Sequence, residues 1–370
     1  MENALNFAHV SGSGPINSAK MAGLSLIELM IALLLGVILT LGVTQVYLGT
    51  SQTYRLTDGI AHAQENIRFA SSIMQRDVRG AGGFACLKNE GDVTVKLKGT
   101  RVVPIGDGIL GWEAAGTGLE DEYDAGFSLP TDGSKWSEGG GDGVFPTDMV
   151  GDVVEGTDVL IVNSVQTLPV EVTGSAPGAQ SISGPSGIPQ GRILLTVNDD
   201  CSAGELFQKG NTSTANSVAM AGGGADPGNL PSSQFDLSYN SEAKIAAFST
   251  VAYYIGEGTS GEPSLFRQRL DTAPEAPQEL VEGVESMQVL YGVSTGVFKQ
   301  ADDYRTADDV TNWQNVVSVR VAFIARSANG ANSEDVTRVF NLLGTEVTAP
   351  TDRRARLVST STIGIRNRLE

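Results

Sequence analysis

The chain has 370 residues, with 43 Asp and Glu against 25 Lys and Arg and a formal net charge of −18. That balance excludes a basic face for nucleic-acid phosphates and argues against a general affinity for anionic lipid. Hydrophobic residues make up 41%, and the 45 glycines and 14 prolines predict a folded, loop-rich, β-rich body. The two histidines, His9 and His62, and two cysteines, Cys86 and Cys201, are too scattered for a zinc site of the common types, so no metal or cofactor is expected.

Residues 1–23 are polar and small, with Lys20 just ahead of an apolar run from Leu24 to about Leu48. That run is long enough to cross a hydrocarbon layer of about 30 Å as a helix. It exceeds the ~7–15 apolar residues of a cleaved secretory signal, and no A-x-A site follows Val43. By the positive-inside tendency, Lys20 keeps residues 1–23 in the cytoplasm, and residues after about 50 are exported. Glu28 is the one charge inside the run. A carboxylate in that setting is costly and marks a functional position by default, the bland alternative being a side chain that snorkels or stays protonated. If the chain is cut after Gly23, Leu24 gains a free amine one helical turn from Glu28. The two charges could then neutralise each other, within one chain or between neighbours.

No proline occurs between Gln45 and Arg79, and Ile60, Ala63, Ile67, Ala70, Met74 and Val78 recur at steps of three and four. This apolar stripe predicts an amphipathic helix over about 49–80 that continues the apolar run, packs its own domain and stops at Gly80-Ala81-Gly82-Gly83. Beyond it, residues 158–162, 193–197, 248–255, 286–293, 317–323, 339–343 and 357–365 read as strands. Val317, Val319, Val321 and Phe323 share one predicted face, with Ser318 and Arg320 on the other. Stretches rich in Gly, Asp and Ser over about 104–150, 172–190 and 209–243 are long for loops, and so hold insertions or short strands. The order is α+β: a leader over 1–23, one helix over 24–80 (membrane-spanning over about 24–48), and a β-rich head over 81–370 with long loops.

Cys86 and Cys201 fall on the exported side, where oxidation is favoured, and pair most naturally as one disulfide; two buried thiols are the alternative. No G-x-x-x-x-G-K-[ST] or H-E-x-x-H motif is present, and no catalytic residue is expected. Asp199-Asp200 and Asp302-Asp303 could serve glycoside chemistry or calcium, but such loop acids are mostly solvated surface and lack EF-hand spacing. Arg353, Arg354, Arg356, Arg366 and Arg368 make a basic tail, read either as strand arginines pairing with nearby acids or as a docking face for an acidic neighbour.

Gly23 followed by Leu24-Ser25-Leu26-Ile27-Glu28 resembles the type III signal of type IV prepilins, with Leu24 in place of the usual Phe and Ser25 in place of Thr. The resemblance implies cleavage after Gly23 by a prepilin peptidase, methylation of the Leu24 amine and a helix-pairing role for Glu28. Further stretches are similar to the PilW branch of minor pilins: Gln64 to Ala70, Arg76 to Arg79, Gly156 to Val162, Asp200 to Gln208, Leu280 to Gly292 and Ile365 to Arg368. By that resemblance the chain is a non-enzymatic minor pilin that helps to start type IV pili, near the tip. It would partner the major pilin, other minor pilins and a tip adhesin, and serve twitching motility and adhesion. A J-like minor pseudopilin of type II secretion, a pilin-anchored adhesin and a membrane-anchored periplasmic enzyme are the alternatives.

Peptide mass spectrometry of the membrane-extracted protein is expected to find a mature N-terminus at methylated Leu24. A protein still beginning at Met1, or beginning beyond residue 40, would refute this.

Overall fold

The computed structural model describes residues 25–87, 90–98, 107–140, 145–220, 226–232, 234–271, 276–296 and 300–369. The cleavage pair Gly23 and Leu24 lies outside these residues. The chain divides into two compact units, Met1–Thr53 and Tyr54–Glu370. Helix α1, Leu26–Arg79, runs unbroken for 54 residues and supplies the described part of the first unit. From Leu26 to Leu48 its large apolar side chains are all exposed, and by length and composition it can cross a membrane.

Among the described residues, eighteen strands and the second half of α1 form most of the second unit. The first nine are β1 Val93–Val95, β2 Ile109–Ala114, β3 Glu122–Asp124, β4 Trp136–Ser137, β5 Val159–Ala176, β6 Ala179–Ile182, β7 Ile193–Val197, β8 Gly204–Gln208 and β9 Ser217–Ala219. The rest are β10 Lys244–Glu257, β11 Pro263–Arg269, β12 Gln278–Glu282, β13 Val284–Val293, β14 Asp303–Arg305, β15 Val316–Arg326, β16 Val339–Leu342, β17 Thr345–Thr348 and β18 Arg356–Gly364, before a short helix α2, Arg366–Leu369. An 11-stranded sheet runs β1-β8-β7-β10-β5-β2-β4, with β11, β12, β6 and β9 branching from it. A 4-stranded sheet runs β14-β13-β15-β18, and a 3-stranded one β16-β17-β3.

The expected stripe is the buried face of α1: Ala63, Ile67, Ala70, Met74 and Val78 are covered, and Ile60 is half-buried. Ala70, Met74 and Val78 enter the main core with residues of β2, β5, β10, β13 and β15, while Ala63 and Ile67 pack on Ala325 and Leu357. Period-two alternation divides β15 between two environments. Val319, Val321 and Phe323 face the main core, and Ala322 and Ile324 meet Leu342 and Val347 behind the sheet. The second face of this strand, read from Ser318 and Arg320 as polar, is therefore partly covered by β16 and β17.

The helix ends where the glycines are. Gly80 and Ala81 donate to the carbonyls of Asp77 and Val78, Gly82 takes φ +65°, and its N–H bonds the Asn163 carbonyl of β5. Residues 104–150 include β2, β3 and β4, and residues 172–190 include β6, so these stretches do contain short strands. Cys86 and Cys201, 115 positions apart in sequence, are joined by a disulfide with Cα atoms 5.6 Å apart. The bond pins the segment after α1 to the β7–β8 turn, beside Leu87, Leu97, Ile193 and Leu206.

Met74 is 1% exposed. Met74→Ala should destabilise the head by about 2–5 kcal/mol through lost burial and a residual cavity. Guanidinium titration of the detergent-solubilised chain, followed by tryptophan fluorescence, would show a lower midpoint. An unchanged midpoint would mean that this face of α1 is not packed as described.

Candidate functional site

The start of α1 carries a reciprocal cap. The Ser25 N–H donates to Glu28 Oε2 at 3.0 Å, and the Glu28 N–H donates to Ser25 Oγ at 3.2 Å. This S-x-x-E capping box satisfies two N–H groups that a helix start leaves open, and the carboxylate also faces the positive end of the helix dipole. The role of Ser25 is legible in the sequence once the helix start is placed there, but the sequence reading gave Glu28 only an amine as partner. Farther along, the hydroxyls of Thr40 and Thr44 donate to the Gly36 and Thr40 carbonyls, so they leave no open donor in the apolar segment.

In the second unit the conspicuous motifs meet one another. Asn66 of α1 donates to the Glu282 carbonyl at 2.9 Å, one residue before Gly283 turns at φ +81°. Asp77 accepts the Tyr253 hydroxyl at 2.6 Å and pairs with Arg267 at 3.3 Å. Gly156 turns at φ +75° where any Cβ would strike the Tyr123 ring, and its carbonyl accepts Gln288 Nε2 at 3.0 Å. Asp158, fully buried, accepts the Ala114 N–H of β2 at 3.0 Å and the Val289 N–H of β13 at 2.7 Å. One carboxylate thus ties the large sheet to the four-stranded one. Asn367 Nδ2 donates to the Ala81 carbonyl at 3.2 Å, and Arg368 donates to the Trp313 and Val316 carbonyls. These motifs are joints of the head.

The acidic pairs and the arginine tail are largely engaged internally. Asp199 accepts from Asn240, Asp200 from the Ser202 N–H, Asp302 from Thr295, and Asp303 pairs with Arg305. Among the described residues no group of three or more His, Cys, Asp or Glu could hold a metal ion. Arg356 is buried against Glu285 and Asp352, Arg354 pairs with Glu262, and Arg353 with Asp335. Arg353, Arg354 and Arg356 thus take the first of the two readings of the tail, pairing with nearby acids, while Arg368 bonds backbone carbonyls. His62 is exposed beside Asp58.

Sequence reasoning missed a second buried carboxyl. Glu113 on β2 is 3% exposed, accepting the Thr117 hydroxyl and the Ala307 N–H at 3.3 and 3.4 Å. Burial, and then the nearby Asp158 carboxylate, push the Glu113 carboxyl far above the usual range. Asp158 is raised less, because its two backbone donors offset part of the desolvation. A lone Glu in a strand of the sequence Ile-Leu-Gly-Trp-Glu-Ala gives no sign of this; the clue is that all six residues are buried.

A long apolar N-terminal helix thus continues into a β-rich head, an α+β architecture. Residues 252–367 match the model of the family described as PilW, Type IV Pilus-assembly protein W, so that part of the chain is similar to PilW-like pilins of the type IV pilus. A solved type IV-like pilin from Thermus thermophilus is similar over 33% of this chain and 67% of its own, at 16% identity and a TM-score of 0.22. No curated protein matches the sequence.

Glu113 sets a pH dependence. Below its ordinary value of 4.5 the carboxyl is protonated in folded and unfolded chains alike. Above that value the unfolded chain loses the proton and the folded head keeps it, so stability falls as pH rises. Glu113→Gln should therefore flatten the decline between about pH 5 and about pH 8. Parallel denaturation curves for parent and variant across that range would contradict the assignment.

Proposed function

We propose that this chain is a minor pilin that starts type IV pilus assembly, at or near the tip of the filament. The reading rests on one observation above the others: an exposed apolar half-helix is joined to a head whose residues 252–367 match the PilW family model. The exposed half supplies a surface that other pilin helices can cover in the inner membrane and then in the filament. Glu28, held by Ser25 while the chain is alone, exchanges that partner for the amine of a neighbouring helix. A net charge of −18 disfavours runs of identical neighbours and favours low copy number. The head faces the periplasm before assembly and the cell exterior afterwards, and it carries out no catalysis.

Nucleation is the physical role. A few unlike subunits with complementary faces begin a helix bundle that identical, self-repelling subunits begin slowly. Deleting the gene should remove most surface pili, and deleting the retraction motor as well should restore part of them. Counting pili by electron microscopy in the single and double deletions checks this. Normal pilus numbers with lost attachment would point to an adhesin instead, and an unchanged count in the single deletion would defeat the assembly role.

A further inference from the structure

The four-stranded sheet ends on β18, and its outer edge pairs with no strand among the described residues. The register fixes which backbone groups point outward. The Ser327 N–H bonds the Ala355 carbonyl and the Ile365 N–H bonds the Val317 carbonyl, so 357, 359, 361 and 363 exchange bonds with β15. Antiparallel alternation then turns the N–H and C=O of Val358, Thr360 and Thr362 away from the sheet. Natural edges are guarded by charge, proline or bulges. Leu357 to Gly364 contain no charged residue and no proline, and their pairing with β15 is regular.

Beside this edge lies an open groove of about 470 Å³. One wall is the polar flank of α1, with Gln64, Arg68, Ser71 and Gln75, and the other is Leu357 to Ser361. From Gln64 to Gln75 the helix rises roughly 16 Å at 1.5 Å per residue. Five strand residues cover a similar distance at about 3.3 Å each. Among the ten lining residues Arg68 carries the only charge; it is exposed and makes no ion pair among the described residues.

We propose that the outer edge of β18 takes a fifth strand from a different pilin subunit: an extended, otherwise uncharged segment with one carboxylate opposite Arg68. The occupant is not a second copy, since each copy brings a charge of −18 and an arginine that would face its equivalent across a self-paired edge. Main-chain bonds to Val358, Thr360 and Thr362 supply affinity, and Arg68 selects the register. The inference rests on the assembly role proposed above and names the surface that would carry it.

The test uses the full chain in detergent, mixed in turn with each of the other pilins of its filament, with amide hydrogen exchange read by mass spectrometry. One of those pilins should slow exchange across residues 357–363 about tenfold or more, and Arg68→Glu should abolish the effect. Protection that appears on concentrating the chain alone would overturn the proposal, as would pilin binding without protection there, or no binding at all. In cells, Thr360→Pro and Thr360→Lys should lower pilus number while Thr360→Ala does not, with the Cys86–Cys201 bond intact in all three. If the Pro and Lys variants assemble pili normally where the deletion does not, the edge inference fails and the assembly role stands. If the deletion itself assembles pili normally, the assembly role fails.

Discussion

Every large apolar side chain of α1 from Leu26 to Leu48 is exposed, whereas Ala63, Ile67, Ala70, Met74 and Val78 are covered. One unbroken run of i-to-i−4 hydrogen bonds joins the two regimes. The first half needs an apolar surrounding and the second needs a β-head, and neither half can slide toward the other's requirement without exposing its own apolar face. Much of the remaining structure serves this constraint. The four-stranded sheet offers Ala325 and Leu357 to the helix, β5 and β10 complete the core above Met74, and Gly82 turns the chain straight into contact with Asn163.

Holding two sheets against one helix requires specific polar joints as well as apolar contact. Asp158 provides one by accepting N–H groups from β2 and β13 together. Glu285 provides another, gathering Arg326 and Arg356 at the base of the same sheet. Removing one partner from such a buried pair leaves the other charge uncompensated, so these positions tolerate little change even though they touch no ligand. That accounts for motifs that stand out in the sequence and yet describe internal structure.

The helix and its buried stripe were readable because a 3.6-residue period over many turns is hard to mistake for anything else. Strands buried on both faces, such as β7 and β13, were readable as short apolar runs. Less was visible where pairing is long-range. β11 mixes Ser, Arg and Gln with apolar residues, and only its register with β10 makes Pro263–Arg269 a strand. The arginine tail left two readings open because charge in a sequence does not reveal its partner: Arg356 meets Glu285 from 71 residues away. Ser25 could have been found from its spacing to Glu28, and Glu113 could not, since its burial depends on β2 and β5 pairing across about fifty residues.

The order of synthesis gives the C-terminal joint a further meaning. Leu357, which covers Ala63 and Ile67, and Asn367, which bonds the Ala81 carbonyl from 286 residues away, are made after the helix that they complete. Until they follow, the buried face of the helix lacks that part of its cover, and the four-stranded sheet lacks β18. Closure of the head over this part of the helix therefore waits for β18. A chain cut short before residue 356 would leave Ala63 and Ile67 without Leu357, and so expose apolar surface that the folded head covers.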